Sequence, residues 1–193
     1  MLINGDCLEC LDKLAVRSVD CLLIDPPYFI PTWTSATLTK YDKRMSELAI
    51  MEGFFKILFK KLDRVMKTNG HIIIFCDCNS YPLFWIHLYP YVKKMRSFVW
   101  DKIRCGMGWG FRHQHELILY GQRKQHKSVK CGLGDVLKFH AVKAKDKIHP
   151  SQKPVDLYEH LIKNLTKEGD VILDCFCGSG SSGVAAENVG GRK

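Results

Sequence analysis

Two rhythms of apolar residues alternate along the chain. Short unbroken apolar runs at 21–24, within a strand candidate over 19–24, and at 72–75 and 171–173, with further strand-like stretches at 97–102 and 116–120, predict buried strands. A shorter candidate, Leu2-Ile3-Asn4, begins the chain. Between them lie stretches of helical spacing. Leu8, Leu11 and Leu14 suit a short helix, and Leu48, Met51, Phe55, Leu58, Leu62 and Val65 suit a long one with Ser46 as N-cap and Thr68-Asn69-Gly70 as its end. A third helix is expected over 80–94, with Pro82 in its first turn and Pro90 cutting it short. A fourth runs from Pro154 to about Thr166, and a fifth, of small residues, over 184–188. Residues 29–43 show no period and read as a mobile loop. Strands alternating with helices predict an α/β domain with a mostly parallel sheet and helices on both faces.

With 193 residues, 46% of them hydrophobic and 25% charged, the chain suits one full domain. No apolar run reaches the roughly 20 residues of a membrane span. The first residues lack the basic and apolar regions of a secretory signal, so a cytoplasmic protein is expected, with no membrane partner. Nine cysteines and no secretory signal argue against a disulfide framework. Cys7 and Cys10 have zinc-ligand spacing but no second knuckle follows, so no metal is expected.

Net charge is +9, and its placement changes the picture. Residues 93–147 hold 14 Lys and Arg against Asp101, Glu116, Asp135 and Asp146, while the rest of the chain is nearly balanced. Clustering this one-sided marks a surface that meets phosphates. Within it Gly106, Gly108 and Gly110 alternate with Met107, Trp109 and Phe111, which predicts a loop or hairpin exposing aromatic rings.

Two turns carry candidate chemistry. Asp25-Pro26-Pro27-Tyr28 follows the strand at 19–24, and the proline pair stops that strand and presents a carboxylate and a phenol on a rigid turn. In open α/β sheets ligands bind at that end of the strands. A capped strand stop is the plainer alternative. After the strand at 171–173 comes Asp174-Cys175-Phe176-Cys177-Gly178-Ser179-Gly180, running into a helix whose N-terminal amides favour anionic groups. A dinucleotide site uses a similar glycine turn, so this stretch alone decides nothing.

These two turns, together with His149-Pro150-Ser151-Gln152-Lys153-Pro154, resemble the signature motifs of the S-adenosylmethionine-dependent DNA amino-methyltransferases. The Asp-Pro-Pro-Tyr motif first, then a basic segment, then the cofactor loop is the order of that family's β group. The resemblance covers nearly the whole chain and implies a Rossmann-like methyltransferase fold, a single domain over 1–193 with an inserted basic recognition segment at 103–147. It implies S-adenosyl-L-methionine as cofactor, held by Asp174, Cys175, Phe176, Gly178, Ser179 and Gly180, with Lys153 and Pro154 closing over it, Asp6 at the adenine end and Asp25 beside it. Asp6 can equally cap the helix that follows it.

The resemblance also assigns catalysis to Asp25, Pro26, Pro27 and Tyr28. The Asp25 carboxylate and the Pro26 carbonyl would accept the hydrogens of an exocyclic amine, freeing its lone pair for attack on a methyl group, while Tyr28 stacks on a base flipped out of double-stranded DNA. No cysteine nucleophile is needed. Asp in the first position resembles the adenine-N6 enzymes of restriction-modification systems more than the cytosine-N4 ones. Lys102, Arg104 and Arg112 would reach phosphates or guanine edges, and Trp109 or Phe111 would fill the space the base vacates.

One departure from the family is visible. Its members carry a further strand after the glycine loop and helix, with an acidic residue for the ribose, and here Gly190-Gly191-Arg192-Lys193 follow instead. The expectation is a sheet one strand short, with weak cofactor binding unless a second copy or a partner chain completes it. The alternatives are cytosine-N4 methylation, methylation of RNA or protein glutamine, and a DNA-binding module that keeps the fold without turnover.

Overall fold

In the computed structural model, which describes residues 1–28, 40–106, 109–123, 132–149 and 151–190 (with side chains of 40–49 left aside), the apolar runs assemble into one six-stranded sheet. The strands are β1 (Val19–Ile24), β2 (Met66–Cys76), β3 (Lys94–Asp101), β4 (His115–Gln122), β5 (Val136–Lys138) and β6 (Ile172–Leu173), in the spatial order β5-β3-β4-β2-β1-β6. The pairs β1·β2, β1·β6 and β3·β5 are parallel, and β4 runs antiparallel to both β2 and β3. The helices are α1 (Cys7–Lys13), α2 (Lys40–Val65), α3 (Tyr81–Leu88), α4 (Val155–Leu165) and α5 (Ser181–Asn188).

Strand alternation sorts the apolar residues into two cores. Leu22 and Ile24 of β1 and Ile72 and Ile74 of β2 face Phe55, Leu58, Phe59 and Leu62 of α2, Leu11 of α1, and Phe84 and Leu88 of α3. Leu23, Ile73 and Phe75 face the other way, against Leu157, Tyr158, Leu161, Ile162 and Leu165 of α4 and Ala185 and Ala186 of α5. Each fully buried side chain of this kind contributes about 1.5–3 kcal/mol, against at most about 1 kcal/mol for an exposed pair such as Lys61–Asp12. Apolar stripes, not surface charges, dock the helices. Both strands are fully buried at their centres because both faces are covered.

Several expectations change. Leu2-Ile3-Asn4 forms no strand, and Leu2 and Ile3 are exposed. The strand at that edge, β6, has only two residues and pairs on one side only among the described residues, so it offers little to join. The long helix starts at Lys40, placing Ser46 inside it, and of the loop expected over 29–43 residues 29–39 lie outside the described ones. Residues 68–70 do not stop the helix in a turn but belong to β2: while β1 advances from Val19 to Cys21, β2 advances from Met66 to His71, and the extra residues bulge. As expected, α3 ends before Pro90, with a single 3-10 turn at Tyr89–Tyr91. Strand β5 was not foreseen. Only Leu137 of its three residues is buried, and the following segment is held because the Trp100 indole donates to the Phe139 carbonyl at 2.8 Å.

The bulge explains one glycine. A Cβ on Gly70 would sit 2.9 Å from the Asp20 carbonyl oxygen, backbone that cannot move without disturbing β1, whereas a Cβ on Gly53 meets nothing within 4 Å. Gly70→Ala should cost about 1–3 kcal/mol in urea unfolding, and Gly53→Ala, in the exposed middle of α2, should gain up to about 1 kcal/mol.

Candidate active site

The parallel strands β1, β2 and β6 all end at one rim of the sheet, and because β4 is antiparallel to β2 its first residues reach the same rim. Asp25, Pro26, Pro27 and Tyr28 follow the last residue of β1 there. The Tyr28 hydroxyl donates to Asp25 Oδ1 at 2.6 Å and lies 3.3 Å from Glu116 Oε2. Lys153 Nζ donates to Asp25 Oδ2 at 2.6 Å and stands 3.3 Å from Glu116 Oε2, whose other oxygen pairs with Lys102 at 2.6 Å. Charge therefore alternates along Lys102, Glu116, Lys153 and Asp25. The Lys153 side chain is only 5% exposed, with its ammonium 5.4 Å from the centre of the Tyr28 ring and 5.5 Å from that of Phe75.

These surroundings fix protonation. Burial pushes the Tyr28 phenol far above its ordinary range, and the Glu116 and Asp25 carboxylates add to the shift, so the hydroxyl remains a donor. Burial alone would raise Glu116, but the Lys153 and Lys102 ammonium groups outweigh it and hold the carboxyl below its ordinary value. Burial also lifts the Cys76 and Cys175 thiols to about 12, which keeps both protonated and unreactive.

Facing this turn is the glycine loop. Asp174, the residue after β6, accepts the Phe176 amide at 2.9 Å on one oxygen and the Ser182 hydroxyl at 2.6 Å on the other, tying the loop to the first turn of α5. Burial raises the Asp174 carboxyl, partly offset by those two bonds. Gly178 and Gly180 have φ of 47° and 77°, backbone that a side chain would strain, and the Gly180 amide closes the turn on the Cys177 carbonyl at 2.7 Å.

A cavity of about 500 Å³ opens among Asp25, Pro26, Pro27, Tyr28, His149, Ser151, Gln152, Lys153, Tyr158, Phe176, Cys177, Gly178, Ser179 and Ser181. Three stretches far apart in sequence thus line one site. Of the residues expected to bind cofactor, Asp174, Cys175, Gly180 and Pro154 are not in the lining: Asp174 ties the loop, Cys175 packs toward the core, Gly180 turns the backbone, and Pro154 sits at the N-cap of α4. Asp6 is not brought to the cavity. It caps α1, accepting the Leu8 and Glu9 amides at 2.9 and 3.2 Å. Glu116 and Tyr158 were missed as site residues, and His149 was read as part of its motif without a role; the one signal for Glu116 is an acidic residue opening an otherwise apolar strand inside a basic segment.

Beyond β3 the chain turns back into β4 through a hairpin whose base is fixed by Asp101 Oδ1, which accepts the Ile103 amide and the Gln114 side chain at 2.8 and 2.9 Å. Arg104 and Arg112 are exposed, as are Trp109 and Phe111 in full. Met107 and Gly108 lie outside the described residues. Lys102 parts from this group, its charge turned to Glu116. Among the described residues no group of three or more His, Cys, Asp and Glu can hold a metal, and no helix is long and apolar enough to cross a membrane.

A doubly covered sheet with an acidic proline turn opposite a glycine loop at the strand ends defines the Rossmann-like methyltransferase class. The DNA methylase family model matches residues 19–193, and the chain belongs to that family. The type II methyltransferase M.HinfI of Haemophilus influenzae is 26% identical over 225 residues, covering 98% of this chain, which spans 62% of that protein's length. Among solved structures, the cytosine-N4-specific PvuII DNA methyltransferase superposes with a TM-score of 0.73 at 17% identity, covering 98% of this chain and 78% of that one. The complex of M1.HpyAVI with SAM gives 0.63 at 23% identity, covering 97% and 88%.

Glu116 gives the site a pH signature. Because its carboxyl is held below the ordinary value of 4.5, it contributes stability that is present above that pH and lost as pH falls through the folded value. Urea midpoints followed from pH 6 to pH 3 should fall more for the wild type than for Glu116→Gln; parallel curves would show the carboxylate to be unpaired in solution.

Proposed function

We propose that the chain transfers a methyl group from S-adenosyl-L-methionine to the exocyclic amine of a base in double-stranded DNA, with adenine N6 as the acceptor. The observation that carries this reading is the Asp25 carboxylate, poised at the end of β1 between Tyr28 and Lys153 and sharing one cavity with Phe176, Gly178 and Ser179. The family uses S-adenosylmethionine, and the cavity fits such a group. Its volume lies in the range of cofactor sites, and its lining combines carboxylate, aromatic and glycine backbone. Phe176, Gly178 and Ser179 would hold it, with Asp174 fixing their loop. When bound, the cofactor supplies an electrophilic methyl on a sulfonium.

The chain's own residues then act on the acceptor. An aromatic amine is a poor nucleophile because its lone pair is delocalised into the ring. The Asp25 carboxylate and the Pro26 carbonyl, accepting its two hydrogens, favour a pyramidal nitrogen whose lone pair is free. An amine nitrogen that takes up a methyl group must give up a proton, and the Asp25 carboxylate, accepting one of its hydrogens, would be the group to receive that proton. Tyr28 offers its ring to a base taken out of the duplex. Arg104 and Arg112 on the exposed hairpin meet phosphates or base edges, with Trp109 and Phe111 beside them.

Asp25 in the first position of the turn supports adenine over cytosine N4. A different observation favours a second reading, a DNA-binding module without turnover: both Asp25 oxygens are already taken, by Tyr28 and by Lys153.

Methyl transfer from labelled cofactor separates the readings. Wild-type chain should label double-stranded DNA, with N6-methyladenine in the nucleoside digest, and Asp25→Ala should lose about 10²–10⁴-fold in rate. N4-methylcytosine would correct the base, label in RNA or protein alone would correct the substrate, and binding of DNA without transfer would favour the second reading.

A further inference from the structure

The site as it stands has a problem of lone pairs. Asp25 must accept a hydrogen from the target amine, yet Tyr28 holds one of its oxygens and Lys153 the other, each at 2.6 Å. A carboxylate has spare lone pairs, but one of the two donors is charged and both contacts are short. Of the two, Lys153 is the competitor that costs most to displace. Its side chain is 5% exposed and wedged between the Tyr28 and Phe75 rings, so it cannot carry its charge out to water. Any ammonium that leaves Asp25 needs a second carboxylate within a small shift.

Glu116 is that carboxylate. Its Oε2 lies 3.3 Å from Lys153 Nζ and 3.3 Å from the Tyr28 hydroxyl, so the same oxygen stands ready for both groups that now occupy Asp25. Lys102 holds the other Glu116 oxygen at 2.6 Å, fixing the side chain from the root of the exposed hairpin. We propose that Glu116 is a positioning residue, taking up Lys153 and the Tyr28 hydroxyl when Asp25 turns to the target amine. The inference rests on the methyl-transfer reading above and adds a second carboxylate to it. Glu116 touches neither acceptor nor cofactor in this role; it acts through Lys153 and Tyr28.

Charge and shape separate in two variants. Glu116→Gln keeps the shape and loses the charge that holds an ammonium, leaving Lys153 on Asp25. Glu116→Asp keeps the charge and shortens the reach. Steady-state methylation of duplex DNA should show kcat for Glu116→Gln falling about 10- to 100-fold, with KM for S-adenosylmethionine within about twofold of wild type, and Glu116→Asp should recover most of the loss. A side chain that merely fills space would give the reverse order, with Gln tolerated and Asp impaired. A Glu116→Gln enzyme with wild-type kcat, or a Glu116→Asp enzyme no better than Glu116→Gln, overturns the proposal while wild-type turnover still supports methyl transfer. Absence of transfer by the wild type would instead overturn the underlying reading, and this inference with it. If Glu116→Gln does not fold, the Asp variant decides alone: kcat within tenfold of wild type supports the role, and a hundredfold loss contradicts it.

Discussion

The buried pair between Lys153 and Asp25 joins residues 128 positions apart, and the geometry of the site depends on it. Such a pair adds little net stability, because removing two charges from water costs about what their attraction returns. Its worth is in register. Only one docking of the segment before α4 against the end of β1 satisfies both charges, and in that docking Tyr28, Glu116 and Lys102 fall into line with them. An apolar contact of the same size would let the segment slide; an ammonium with two carboxylate partners does not.

The scaffold makes this affordable. β1 lies inside the sheet, with β2 on one side and β6 on the other, and both of its faces are covered by apolar helices. The sheet's rim is the one place where backbone leaves the ladder and polar groups can gather without breaking it. There the glycine loop approaches, tied by Asp174 and packed through Cys175 and Phe176 against the core. The antiparallel β4 adds something a fully parallel sheet would lack: its first residues, not its last, reach this rim, and they bring Glu116 and the basic hairpin with them.

Features encoded by local chemistry were legible in the sequence. The runs at 21–24 and 72–75 are continuous because both faces of those strands are buried, the proline pair marks a strand stop, and Gly178 and Gly180 mark a turn that side chains would strain. What escaped depends on partners distant in sequence. β5 has a single buried residue and exists through its pairing with β3; the bulge at 67–70 follows from the register against β1; Leu2-Ile3-Asn4 has strand character but pairs with no strand among the described residues. Glu116 and Lys102 were legible only as charges in a basic stretch, since nothing local says that one faces Lys153 and the other faces Glu116. Asp6 takes up the helix cap, the plainer of its two readings, with one carboxylate oxygen.

The central claim, that Lys153 and Asp25 act as one unit in the folded chain, is tested most directly by a double-mutant cycle in unfolding free energy with Asp25→Asn, Lys153→Met and the double variant. A coupling of about 1–3 kcal/mol is predicted for groups in contact. Single effects that add to within about 0.5 kcal/mol would contradict the pair and the site built on it.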